Sequence, residues 1–275
     1  MYLRVSTWLL CMLTGWCLQA ADPVASYDLA TGAVDLTGNH LPGTIISCKP
    51  TQGPREKMDA VSMRPDSRIS LPVDLSHVSE YTMSLWVNKL STGDSFFLYN
   101  DGWFQGFGFG WGWPKSTSKE HLVFFAGDGT RWVKADAQTS LTGTGWHHLA
   151  GTVNRRGEIR LYLDGLQIAS ASSPMPLCIV PGSPTILSCS GMTATNGESC
   201  RMSGVTFHDR ALSPKEIARL ADGKGLSWLP TVRVAKFPIL AVALIWLILI
   251  VGYRTWKLIR NEQSLPQDRR RRPIY

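Results

Sequence analysis

The sequence predicts an all-β protein, a sandwich of two antiparallel sheets. The first reason is spacing: from Asp22 to about Leu226, short apolar runs alternate with clusters of turn residues, leaving little room for helices. The second is the stretch Gly145–Gly165. Leu149, Gly151 and Val153 alternate there with Ala150 and Thr152, and Ile159, Leu161 and Leu163 with Arg160, Tyr162 and Asp164. Asn154-Arg155-Arg156-Gly157 between the two runs supplies a tight turn, so this is a hairpin of a sheet with one buried face. The third is the scarcity of helix signals. Only Pro214–Leu220 carries them, with Ser213 as N-cap, Pro214 in the first turn and Glu216 completing a capping box.

In chain order the predicted strands are Ser26–Leu29, Gly43–Cys48, Arg68–Leu71, Tyr81–Asn88, Ser95–Tyr99, Phe107–Trp111, His121–Ala126, Arg131–Ala135, Trp146–Asn154, Glu158–Leu163, Thr185–Ser188 and Met202–His208. Roughly 200 residues of this kind suit one sandwich domain, residues 22–226, better than two.

The two ends read differently. Residues 1–20 carry Arg4, an apolar run and Ala20-Ala21, the layout of a secretory signal peptide cleaved after Ala20. Residues 227–236 form a short connector. Residues 237–253 (FPILAVALIWLILIVGY) are uncharged, apolar all round and flanked by Lys236 and Arg254, which predicts a single transmembrane helix. Residues 254–275 hold seven basic residues against Glu262 and Asp268, so the tail is expected in the cytoplasm and the N-terminal domain outside it, periplasmic or extracellular. This placement accounts for the formal net charge of +7. Most of the excess sits in the tail and beside the span, so the basicity follows membrane topology and does not point to nucleic acid.

Four cysteines follow the signal segment: Cys48, Cys178, Cys189 and Cys200. An even number in an exported domain favours disulfides, and three connectivities are open. Cys189 and Cys200 flank a turn-rich loop and make the simplest closure, which leaves Cys48 with Cys178. There is no Cys-x-x-Cys, so a zinc site is not expected.

Four ordered segments carry a resemblance. They are Asp35-Leu-Thr-Gly-Asn39, Tyr81-Thr-Met-Ser-Leu-Trp-Val87, Gly145-Trp-His-His-Leu-Ala through Leu163-Asp-Gly165, and Asp209-Arg-Ala-Leu-Ser-Pro-Lys-Glu-Ile217. Together they resemble the LamG-like group of the concanavalin A-like lectin/glucanase superfamily. The resemblance implies a jelly-roll of two curved sheets. It implies little about ligand, because this fold carries lectins, glycosidases, adhesion modules and spacers.

Three constellations bear on chemistry. Glycoside hydrolysis needs two carboxylates facing each other across the scissile bond, and the paired spacing that such enzymes of this superfamily place on one strand is absent from the sequence, so no enzyme is expected. Asp35 and Asn39 are similar to the N-terminal loop that binds calcium in relatives. Where relatives add an Asp-Glu pair, however, this chain has Ser203 and Gly204, and calcium wants six to eight oxygens. The alternative for Asp35-Leu-Thr-Gly-Asn39 is a turn held by side-chain-to-backbone hydrogen bonds. Finally, Asp101–Pro114 reads DGWFQGFGFGWGWP. Period-two alternation turns Phe107, Phe109 and Trp111 towards a core. Trp103, Phe104 and Trp113 lie nearer strand ends and, with Trp132, are the candidate ligand-binding residues, because sugars bind flat aromatic faces backed by a few polar groups. His147 and His148 are adjacent in a strand, point to opposite faces, and suit structural roles.

The expected function is non-catalytic binding at the cell envelope, to glycan or to a surface protein. The alternative is a structural module of the envelope with no soluble ligand.

Overall fold

A computed structural model describes residues 22–56, 58–100, 104–112, 121–194 and 196–223. Its strands are β1 (Ala25–Asp28), β2 (Val34–Asp35), β3 (Thr44–Ile46), β4 (Lys49–Gln52), β5 (Asp59–Met63), β6 (Arg68–Leu71), β7 (Tyr81–Lys89), β8 (Ser95–Asn100), β9 (Phe107–Trp111), β10 (Leu122–Gly127), β11 (Trp132–Ala137), β12 (Trp146–Val153), β13 (Glu158–Leu163), β14 (Leu166–Ser172), β15 (Thr185–Ser188) and β16 (Cys200–His208), followed by helix α1 (Pro214–Ala221). Both sheets are antiparallel. The first runs β14-β13-β12-β7-β16-β1-β2, with β5 and then β4 added along the free part of β16; the second runs β11-β10-β9-β8-β15-β6-β3. The N-terminal strand β1 and the last strand β16 are neighbours.

Alternation fixes which side of each strand is dry. Leu149, Gly151 and Val153 of β12 face the second sheet, and Phe107, Phe109 and Trp111 of β9 face back. Phe97 stacks on Trp111 at 4.4 Å and Phe109 packs at a tilt against Phe124 at 5.1 Å, so an aromatic block fills the middle of the core. The hairpin read from Asn154 to Gly157 forms as expected. Asn154 Oδ1 accepts hydrogen bonds from the amides of Arg156 and Glu158, and Gly157 takes φ 73°.

Helix α1 covers the far side of the first sheet, where Ile217, Leu220 and Leu212 pack on Ala150 and Tyr162. Its capping box is complete, with Ser213 and Glu216 bonding reciprocally. At its other end Arg55, from the β4–β5 turn, donates to the carbonyls of Asp222 and Ala221 at 2.6 and 2.8 Å and lies 5.2 Å above the Trp86 ring.

Four strands were not foreseen: Val34–Asp35, Lys49–Gln52, Asp59–Met63 and Leu166–Ser172. Lys49–Gln52 and Leu166–Ser172 are edge strands, mostly exposed and poor in large apolar residues, so neither has the alternation that marks a half-buried strand. Pro50 sits where a strand tolerates proline, at the rim.

The disulfide joins Cys189 and Cys200. The pairing of Cys48 with Cys178 is corrected: both are free. Cys48 follows β3 at one edge of the second sheet, while the backbone of Cys178 bonds Gly106 and Gly127 beside β9 and β10. At about 4.8 Å per strand, the four steps from β3 to β9 separate them by about 20 Å, far beyond the reach of a disulfide. Among the described residues no helix is long and apolar enough to cross a membrane. The signal segment 1–20, the connector 227–236, the span 237–253 and the tail 254–275 lie outside the described residues.

Candidate functional site

The side of the second sheet that faces away from the core carries a connected set of aromatic rings. It arises from strand β10, which is apolar on both faces: Leu122, Phe124 and Ala126 enter the core, while Val123 and Phe125 point the other way. In β9 the residues on that outer side are Gly108 and Gly110, and they make the arrangement possible. A β-carbon at Gly108 would lie 2.6 Å from Phe125 Cζ, and one at Gly110 would lie 3.0 Å from Phe96 Cδ1. The rings of neighbouring strands therefore lean over bare backbone.

The rings are held by edge contacts. Trp132 of β11 meets Phe125 at 5.1 Å and 81°, and Phe104 at 6.0 Å and 61°. Phe125 meets Phe96 at 5.1 Å, and Phe96 meets Tyr99 at 6.0 Å. Phe125 is the buried member; Phe104, Tyr99 and Trp132 are half-buried, and Phe96 is 38% exposed. Edge-to-face packing fixes the plane of Trp132 before any ligand arrives. Two of the sequence-derived residues, Phe104 and Trp132, thus come together here. The other two, Trp103 and Trp113, lie outside the described residues. Phe96, Tyr99 and Phe125 were missed, although the double-sided apolar pattern of β10 was a usable signal.

Polar groups border the rings. Lys134 and Asp136 share the outer side of β11 with Trp132. His121 Nδ1 is 2.7 Å from Asp136 Oδ1. Burial lowers the Lys134 ammonium from its ordinary value, against the opposing pull of Asp136. At the β10–β11 turn, buried Asp128 accepts from the Thr130 hydroxyl at 2.7 Å, from the amides of Thr130 and Arg131, from Arg131 Nε and from Ser173 Oγ. The Thr130 hydroxyl leads these bonds in holding its carboxyl far below the usual carboxylate range. The turn that presents Trp132 is thereby stiffened.

Asp35 and Asn39 form a turn. The Asp35 carboxylate accepts from the amides of Ser26, Thr37, Asn39 and His40 and from the Thr37 hydroxyl, with His40 Nδ1 at 3.3 Å. Burial pushes its pKa up, but these hydrogen bonds outweigh burial and hold it low. Asn39 spends its side-chain amide on the carbonyl of Val24, and Ser203 spends its hydroxyl on the carbonyl of Asp59. Donors surround the one carboxylate, so these residues do not fit calcium, which needs a cage of free oxygens. Among the described residues no three His, Cys, Asp or Glu side chains cluster as metal ligands.

His147 and His148 part as alternation requires. His147 bridges Asp164 at 2.7 Å and the Thr144 hydroxyl at 2.9 Å, tying two turns together. The Thr144 hydroxyl also lies 2.8 Å from the carbonyl of Leu141, to which it can donate, so it is not set up as a nucleophile. His148 is buried beside Trp86 at 5.2 Å, and burial lowers its pKa to about 4. Glutamates 80, 158, 198 and 216 each bond an arginine: Arg155, Arg160, Arg201 and Arg210.

Residues 64–218, more than half of the chain, match the concanavalin A-like lectin/glucanases superfamily, and the chain belongs to that family. No curated protein matches it. Among solved structures it is similar to the binding domain of Paraclostridial mosquitocidal protein 1, with 16% identity, 75% of this chain and 53% of that chain covered, and a TM-score of 0.61. It is similar to domain 4 of AbnA, a GH43 extracellular arabinanase from Geobacillus stearothermophilus, in complex with arabinotriose (20% identity, 73% and 98% covered, TM-score 0.57). A third is the binding domain of botulinum neurotoxin DC in complex with SialylT (13% identity, 74% and 52% covered, TM-score 0.55). The chain spans about half the length of the two toxin domains. At these identities the likeness is one of fold.

Proposed function

We propose that this protein is a non-catalytic carbohydrate-binding module, exported by residues 1–20 and held at the membrane by residues 237–253. The observation that carries the reading is Trp132, half-buried and braced by Phe125 and Phe104, with Lys134 and Asp136 beside it on the same strand. A fixed aromatic plane with hydrogen-bonding groups at its border is what a sugar ring requires: C–H groups pack on the ring and hydroxyls bond the polar side chains. The structural neighbours that bind arabinotriose and SialylT support the same reading. A catalytic role is disfavoured because four of the glutamates are bonded to arginines, and the Arg210 guanidinium holds Glu216 down to about 2 where a general acid would need a raised pKa.

The test is a glycan-array screen of the purified chain. Reproducible binding to a defined set of sugars is expected. A blank array from folded protein, together with capture of a specific envelope protein, would replace this reading with the protein-partner one.

A further inference from the structure

Resting on the carbohydrate-binding reading above, we infer that the ligand is an uncharged, linear glycan that lies across the strands and touches Trp132 and Phe96 with different sugars. Trp132 stands on β11 and Phe96 on β8, with β9 and β10 between them. Each ring centre is 5.1 Å from that of Phe125, so the two are no more than about 10 Å apart. Phe125 itself is buried and offers no face of its own. Among the described residues, Trp132 and Phe96 therefore form two stations on either side of a covered ring, with half-buried Phe104 beside the first and Tyr99 beside the second. A single sugar reaches one station; a chain of several sugars reaches both. The line joining the stations crosses the strands, over the Phe125 ring that fills the space left by Gly108.

The charge around these rings points to a neutral ligand. Arg131 is paired with Asp128 at 3.2 Å, His121 with Asp136 at 2.7 Å, and Asp136 also acts on Lys134. Among the described residues beside these rings, Arg131 and Lys134 each have a carboxylate acting on them, so an acidic sugar would meet compensated charge, while sugar hydroxyls can bond Asp136.

The experiment is calorimetric titration of the full chain with linear cello-, xylo- and arabino-oligosaccharides, from monosaccharide to hexasaccharide, and with sialyllactose. For at least one neutral series the affinity is expected to rise about tenfold or more with length and then level off, the gain expected for engaging a second aromatic station. Trp132→Ala and Phe96→Ala are each expected to flatten that rise, and Trp132→Phe to restore part of it; thermal melts confirm that the variants fold. Equal affinity for a monosaccharide and its longer homologues would overturn the inference while leaving carbohydrate binding intact. Tighter, salt-sensitive binding of sialyllactose would overturn the claim of neutrality. Failure of every sugar to bind would remove both the inference and the reading beneath it.

Discussion

Gly151 of β12 lies directly under Phe124 of β10: a β-carbon added there would sit 2.5 Å from the ring. This contact sets how closely the two sheets approach, because Phe124 in turn packs on Phe109. Gly151→Ala must push the ring out of its place, and overpacking of this kind costs about 1–3 kcal/mol. At about 2–4 °C per kcal/mol for a domain of this size, the melting temperature should drop by several degrees. Adding Phe124→Leu should recover part of the loss, as a double-mutant cycle would record.

The Cys189–Cys200 bridge closes a loop onto β16, with both sulfurs buried. Cys189→Ser with Cys200→Ser is expected to cost about 2–3 kcal/mol, measured by chemical denaturation. Cys48→Ser and Cys178→Ser, which break no bridge, should each leave the midpoint nearly unchanged. Non-reducing mass spectrometry should find those two thiols alkylatable after unfolding.

Among the groups that give stability a pH dependence, His148 and Glu216 act in largely separate windows. His148 has a folded-state pKa of about 4, mainly through burial, below its ordinary 6.5. The fold favours the neutral ring, so this contribution is complete above about pH 6.5 and is lost as pH falls towards 4. Glu216 is held at about 2, chiefly by Arg210, so its contribution is complete above about pH 4.5 and is lost only as pH falls towards 2. Melting temperatures from pH 7 to 3 should decline in both ranges. His148→Gln should flatten the upper range, and Glu216→Gln should lessen the lower slope without abolishing it, because Asp128, Asp35, Asp74 and Glu198 are held low as well.

Asp35 is tied to five donor groups of its own turn and of β1. Asp35→Asn should therefore destabilise the domain by about 1–3 kcal/mol, the cost of orphaning buried donors. Wild-type protein should melt at the same temperature with calcium and with chelator. A calcium-dependent increase in stability would show that the turn can rearrange into a cage.

Much of this fold was legible because burial imposes a period on the sequence. Arg68–Leu71, Phe107–Trp111, Glu158–Leu163 and Thr185–Ser188 end where the sequence placed them, and α1 starts at its capping box. The strands that escaped notice lie mostly at rims: Lys49–Gln52 and Leu166–Ser172 face solvent on most sides and need no alternation. The site was half legible. Phe104 stood out as an aromatic near a strand end and Trp132 as a further candidate, whereas Phe125 was hidden inside a continuous apolar run. That a glycine column in β9 would draw Phe96 and Phe125 together depends on strand pairing, which local sequence does not encode. The pairing of Cys48 with Cys178 failed for the same reason, since elimination among cysteines ignores the width of a sheet.

The most direct test of the proposed carbohydrate-binding face compares wild-type protein with Trp132→Ala on whichever glycan the array returns. Loss of affinity of about tenfold or more, with an unchanged fold by circular dichroism and partial recovery in Trp132→Phe, is the predicted result. Undiminished binding by the folded Trp132→Ala variant would contradict it and move the site elsewhere on the molecule.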